Sequence, residues 1–289
     1  IYHILMKLDR KNLFSLLFIA FWFVLGYFFI SNRGLFADEQ AHYLQIRRFI
    51  SGDFGVYDII TVIPGYHYFV AGAAKIFGIY SISGIRFLNL IIGLISIFVF
   101  LLLCFKISKY FYLVKGLQYV FFPLLSPLFF LIYTDVFSLL LVMLMFYFIL
   151  SKNYIISGLY GTLSFFVRQN NIVWLAFIIA YVYFDRYGMK LDFIKLKEIA
   201  KDLWIFILGI IAATIYFILN KGFSFGDREM HPGGIFFGNI FFILFLFFFL
   251  FLPLNLYNFS QIIKFIRKNK WILFAIIGIF LFYIKFFIV

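Results

Sequence analysis

Apolar runs of helical length recur from Leu13 to the end of the chain, broken only by short polar stretches, and they decide the solvent in which this sequence can fold. With 65% hydrophobic and 13% charged residues over 289 positions, no water-facing surface could be built around a core. The chain must therefore be a membrane protein of several spans. Transmembrane barrels need alternating segments of roughly 10 residues, whereas these runs are longer and continuous. The expectation is an all-α, polytopic transmembrane helical bundle, a single membrane domain over residues 1–289.

The formal charge of +13 would point to nucleic acid in a soluble protein. Here the lysines and arginines lie between apolar runs, where topology and anionic lipid account for them, so membrane lipid is the expected partner and nucleic acid is not. The one cysteine, Cys104, sits inside an apolar run and offers neither a disulfide framework nor a thiolate metal site. The first run, 13–30, is too long for a signal-peptide core and reads as a true span. Ile stands at position 1 where Met would open a full chain, as in a processed or partial sequence.

Ten segments are expected: 13–30, 64–78, 85–105, 117–133, 136–150, 154–167, 172–184, 203–219, 233–253 and 271–289. Several fall short of the roughly 20 residues of a perpendicular span. Lys7, Arg10 and Lys11 before the first span favour an inside N-terminus. If all ten crossed, the basic stretch 185–201 would lie outside, so one segment between 64 and 133 should not cross, leaving about nine to ten membrane segments. Segment 117–133, interrupted by Pro123 and Pro127, and the short segment 64–78 are the suspects.

That topology gathers polar motifs on the outer face. The largest is the island 35–68, within an active-site loop 31–68, which holds Asp38, Glu39, Asp53 and Asp58 together with His42 and His67. Asp38, His42 and Gln45 stand at i, i+4 and i+7, the spacing of one helix face, while Tyr43, Leu44 and Phe49 suit a helix lying along the interface. Tyr133-Thr134-Asp135, Arg168-Gln169-Asn170-Asn171 and Gly226 to His231 are the other three motifs. Ionisable groups concentrated at one face of a bilayer protein mark chemistry or selective binding.

Each motif has a plain reading beside the functional one. Asp38 and Glu39 are either a general base with its neighbour or a helix N-cap with a first-turn acid. Arg168 either snorkels to headgroups or offers its planar fork, backed by amides, to a phosphate; Arg228, flanked by Asp227 and Glu229, poses the same choice. Tyr133 to Asp135 either caps a helix or supplies an acid or hydroxyl to the site. His42, His67 and His231 raise the question of a metal, but no HExxH or cysteine ligand accompanies them and no metal is expected. Walker and GxGxxG loops are missing as well, so no soluble nucleotide is indicated.

In order along the chain, DEQAH, GDF, YD, TVIPGYHY, RFLNL, LFFLIYTD, FVRQNNIVW and FGDREMH resemble the dolichyl-phosphate-glucose-dependent α-1,2-glucosyltransferases of N-glycan precursor assembly, members of the GT-C class. The resemblance runs from about Leu13 to about Phe251. It implies a GT-C-like, metal-free and cofactor-free inverting transfer of glucose, or another hexose, from a dolichyl or other polyprenyl-phosphate sugar to a lipid-linked oligosaccharide. It also implies a site on the lumenal or outer face, in the endoplasmic reticulum membrane of a eukaryote or the plasma membrane of a prokaryote. Asp38 would be the base, Glu39 its polar neighbour, and Arg168 or Arg228 the phosphate ligand. Asp135, Gln169, Asn170 and Asp227 would line the cavity, with His42, His67, Tyr133 and His231 as further substrate contacts. The short stretch 185–201, and PGG after GDREMH, depart from the family pattern. A GT-C enzyme with a different polyprenyl-phosphate sugar, or a lipid-linked-sugar transporter, are the alternative readings.

Overall fold

A computed structural model describes residues 10–108, 112–226 and 237–287. Every regular element among them is helical. The chain falls into two compact units, Ile1–Pro232 and Gly233–Val289. The protein is an all-α polytopic membrane protein, as its composition dictates.

In the first unit, α1 (Arg10–Ser31) leads through a short turn into α2 (Glu39–Ile50), α3 (Gly65–Phe77) and the long α4 (Ile82–Ile107). Then follow α5 (Tyr112–Val120), a 3₁₀ turn (Ser126–Phe129), α6 (Thr134–Leu150), α7 (Tyr154–Val167), a second 3₁₀ turn (Gln169–Asn171) and α8 (Ile172–Tyr187). The unit continues with α9 (Phe193–Asp202) and α10 (Trp204–Asn220). Among the described residues, two helices are long and apolar enough to cross a membrane by themselves, Phe14–Ser31 and Ile82–Ile107. Thr134–Leu150 and Tyr154–Val167 are apolar but shorter.

The suspect stretch 117–133 is not one helix. It breaks after Val120 and passes through the 3₁₀ turn before α6, because Pro123 and Pro127 can neither donate to a helical ladder nor avoid the preceding carbonyl. Segment 64–78 does form a helix, but its 13 residues reach only about 20 Å. The basic stretch 185–201, expected as a loop, contains α9, whose N-cap Asp192 accepts a hydrogen bond from Ile194 N at 2.9 Å.

The core of this unit is a packed aromatic and aliphatic cluster. Phe23 of α1, Ile46 and Phe49 of α2, Val70 of α3, Ile85 and Ile92 of α4, and Phe129 and Val136 further on form one contiguous part of it. Phe49, expected to face the interface, instead stacks on Tyr68 with ring centroids 4.0 Å apart, while Leu44 is exposed. A second cluster, including Met145, Leu175, Ile178, Ile199 and Phe206, holds α6, α8, α9 and α10.

The second unit comprises α11 (Phe237–Leu250), α12 (Leu252–Tyr257), α13 (Phe259–Lys268) and α14 (Trp271–Phe287). Its large apolar side chains, Phe242, Phe245, Phe274 and Phe280 among them, are exposed, as lipid-facing residues are.

Candidate active site

The site begins where α1 ends. Residues 32–38 reverse the chain, with Ala37 in the left-handed region at φ 46°, a conformation that costs an alanine roughly 1 kcal/mol. Asp38 then occupies the N-cap of α2, yet its side chain makes no capping hydrogen bond. Its carboxylate is exposed and lines a pocket of about 170 Å³ with His42, Thr61, Tyr133, Asp135 and Arg168. The helix is steadied instead by Glu39, whose carboxylate accepts from Phe36 N at 3.0 Å, in the manner of a capping box.

Glu39 does much more than that. It is fully buried, and its two oxygens accept from Arg86 Nε (2.8 Å) and Nη2 (2.6 Å) and from Ile132 N (3.0 Å). Arg86, equally buried, donates its remaining bonds to the carbonyls of Ile30 (2.7 Å), Arg33 (2.8 Å) and Gly34 (2.7 Å). All five guanidinium N–H groups are thereby satisfied. Three residues on, Asn89 donates to the Leu131 carbonyl at 2.6 Å and accepts from Tyr66 Oη at 3.1 Å. Arg86 and Asn89, one turn apart on α4, thus tie the end of α1, the start of α2, α3 and the segment before α6 into one frame. Glu39, expected beside Asp38 as the second catalytic residue, is thus placed behind the pocket, fully buried with its oxygens bonded to Arg86 and two backbone amides.

Sequence reasoning missed Arg86 and Asn89, although both lie in the RFLNL motif. An arginine one residue inside an otherwise apolar run was the signal, since an ionisable group there demands a partner.

In the same pocket, Asp135 in the first turn of α6 is ion-paired with Arg168 Nη1, at the end of α7. Both side chains remain about one-third exposed. Two of the three amides behind Arg168 turn into the protein. Gln169 is buried and donates to the carbonyls of Thr61 (2.8 Å) and Phe223 (3.2 Å), and Asn171, also buried, donates to Ser138 Oγ (2.7 Å) and the Ser164 carbonyl (2.9 Å). Gln169 therefore shapes the wall formed by residues 59–62 from behind, while Asn170 is exposed and lies outside the pocket lining. Gln45 likewise turns inward and fastens the loop by bonding Gly55 O (3.0 Å) and Tyr57 N (2.8 Å).

His42 lies in the pocket with Nδ1 2.9 Å from His67 Nε2, its ring 5.4 Å from that of Tyr133. One ring donates and the other accepts. Burial lowers the His42 pKa to about 4, against the opposing pull of Asp38 and Asp135. His67 is fully buried behind His42. Tyr133 Oη donates to Phe36 O at 3.4 Å.

Three of the four polar motifs thus converge in one pocket. The fourth is reached through Phe225, whose N–H bonds Thr61 O at 3.1 Å, and Gly226, packed so closely that a Cβ would come 2.0 Å from the Asp58 carbonyl. Asp227, Arg228 and His231 lie outside the described residues. Among the described residues, no three His, Cys, Asp or Glu side chains are grouped so as to hold a metal ion.

The class that fold and site define is a polytopic helical membrane protein with one polar pocket, in which the loop after the first span contributes Asp38 and His42 and the ends of later helices contribute Asp135 and Arg168. The DIE2/ALG10 family model matches residues 32–192, more than half of the chain, including Asp38, Arg86, Asp135 and Arg168, and the chain belongs to that family. It is similar to the Dol-P-Glc:Glc(2)Man(9)GlcNAc(2)-PP-Dol alpha-1,2-glucosyltransferases of Candida albicans and Arabidopsis thaliana. Identity to the first is 35% over 176 residues, 56% of this chain and 39% of that protein. To the second it is 31% over 167 residues, 50% and 32%. The rat protein of the same name is 25% identical over 260 residues, 72% of this chain and 55% of that one. The matches thus cover from about a third to just over half of those relatives' lengths. No solved structure matches.

Proposed function

We propose that this chain transfers glucose, with inversion, from a dolichyl or other polyprenyl phosphate to a hydroxyl of a lipid-linked oligosaccharide, as the names of its relatives describe for them. The observation that carries the proposal is the pairing of tasks in the pocket: Asp38 stands at a helix N-cap with its carboxylate uncommitted, and the same pocket is lined by a guanidinium held by Asp135. Asp38 takes the proton of the acceptor hydroxyl as its oxygen attacks the anomeric carbon. The sugar–phosphate bond breaks, and the electron pair leaves on the phosphate.

Arg168 stabilises that leaving charge. Its ion pair with Asp135 uses Nη1 and orients the fork, leaving further N–H groups for phosphate oxygens. His42 and Tyr133 contact the sugar, His67 backs His42, Gln169 holds the wall from behind, and Asn170 is at most a contact of the larger acceptor. Arg228, with Asp227 and His231 beside it, is the second candidate for the phosphate. The reaction needs no metal and no soluble nucleotide. An apolar cavity of about 430 Å³ between α1 and the 126–131 turn, lined by Trp22, Gly26, Phe130 and Leu131, supports the reading, since an isoprenoid chain can lie there two residues from Tyr133. The site faces the endoplasmic reticulum lumen in a eukaryote, or the outside of a prokaryotic plasma membrane.

The test is transfer by the chain reconstituted in liposomes with labelled polyprenyl-phosphate glucose and a lipid-linked acceptor. A glycosylated acceptor is expected, and Arg168→Lys should raise the donor KM about 10-fold or more, because a point charge cannot replace the fork. Movement of labelled lipid across the bilayer without any glycosylated product would instead identify a transporter.

A further inference from the structure

The stretch from Arg186 to Asp202 takes no part in the pocket, yet it is firmly built. Tyr183 Oη donates to Lys190 O (2.8 Å) and accepts from Asp192 N (2.8 Å), fixing the turn before α9. Ile199 and Leu203 are buried against α8 and α10. The helix then turns by 89° into the apolar α10. That bend would lay α9 along the surface of a bilayer that α10 enters upright.

The side chains that this geometry leaves outward are of two kinds. Leu191, Phe193 and Ile194 are 70% or more exposed, large apolar groups presented at one end of the helix. Around them are Lys190, Lys195, Lys197 and Lys201. The acids of the same stretch are committed elsewhere: Asp192 caps α9, Glu198 accepts from Tyr187 Oη at 2.6 Å, and Asp202 pairs with Arg186 at 2.6 Å. No carboxylate among the described ion pairs is matched to any of the four lysines. Lys195 instead lies over the Tyr187 ring at 5.4 Å. A helix bent sharply from an apolar neighbour, with exposed apolar anchors and ammonium groups that no described ion pair neutralises, has the make-up of a surface that binds anionic headgroups.

We infer that residues 190–201 form a binding surface for anionic glycerophospholipid, the lysines taking the headgroup phosphates while Leu191, Phe193 and Ile194 enter the acyl boundary. This does not depend on the proposed transferase activity.

The full chain, purified into nanodiscs, is tested by native mass spectrometry for retained phospholipid, using phosphatidylcholine alone and with phosphatidylserine or phosphatidylinositol. Wild type should retain anionic lipid over phosphatidylcholine, less so as salt rises. The variant Lys190→Gln/Lys195→Gln/Lys197→Gln/Lys201→Gln should lose up to about fivefold of that preference per lysine with its melting temperature unchanged. A nitroxide attached at Phe193→Cys should be more accessible to oxygen than to a water-soluble relaxer. An unaltered preference in the quadruple variant, no preference in wild type, or a fully water-exposed nitroxide would each overturn the inference.

Discussion

Asp38 and Glu39 are neighbours of like charge with opposite surroundings. Glu39 is sealed against Arg86, and the pair matters less for the energy of the ion pair itself than for the cost of breaking it. Removing one charge leaves the other buried without compensation, a loss of about 3–5 kcal/mol. Glu39→Gln should accordingly lower the melting temperature of the detergent-solubilised protein sharply, and a melting curve superimposable on wild type would refute the role given to the pair. His42 supplies a pH signature. Its pKa in the fold is about 4 against 6.5 outside it, so between these values the unfolded chain binds a proton that the folded one refuses. Stability should therefore fall as pH drops from about 6.5 to about 4 and be unaffected by this group above that window. His42→Gln should flatten that part of a melting-temperature profile.

At the scale of elements, the frame is a matter of close backbone approach. Gly65, opening α3, lies so near α7 that a Cβ would come 2.3 Å from the Phe166 carbonyl oxygen. Gly65→Ala must push the two helices apart, with an expected loss of about 1–3 kcal/mol readable by thermal unfolding, although the residue does not line the pocket. The apolar runs were legible because period and length carry that information: 154–167 is α7 to the residue, and α4, α6 and α10 depart from expectation by three residues or fewer at each end. The helix over the polar island was legible too, from the Asp38–His42–Gln45 spacing. Which amides face the pocket was not. Gln169 and Asn171 look alike beside Arg168 in sequence, and only the positions of Thr61, Phe223 and Ser138 decide that both turn inward. Arg86 and Asn89 escaped notice for the same reason, since the carbonyls and carboxylate they serve come from distant parts of the chain.

For the molecule as a whole, membership in the DIE2/ALG10 family and the all-α membrane fold follow from the sequence match and the helices. The proposed chemistry rests on a division of labour in which buried polar groups hold the pocket and the uncommitted carboxylate of Asp38 would act in it. Asp38→Asn tests that division most directly, because asparagine caps a helix as well as aspartate does and the native side chain makes no capping bond. The measurement is glucose transfer by this variant, reconstituted beside wild type, together with its melting temperature. The account predicts an unchanged melting temperature and turnover reduced about 10²- to 10⁴-fold; turnover equal to wild type would contradict it.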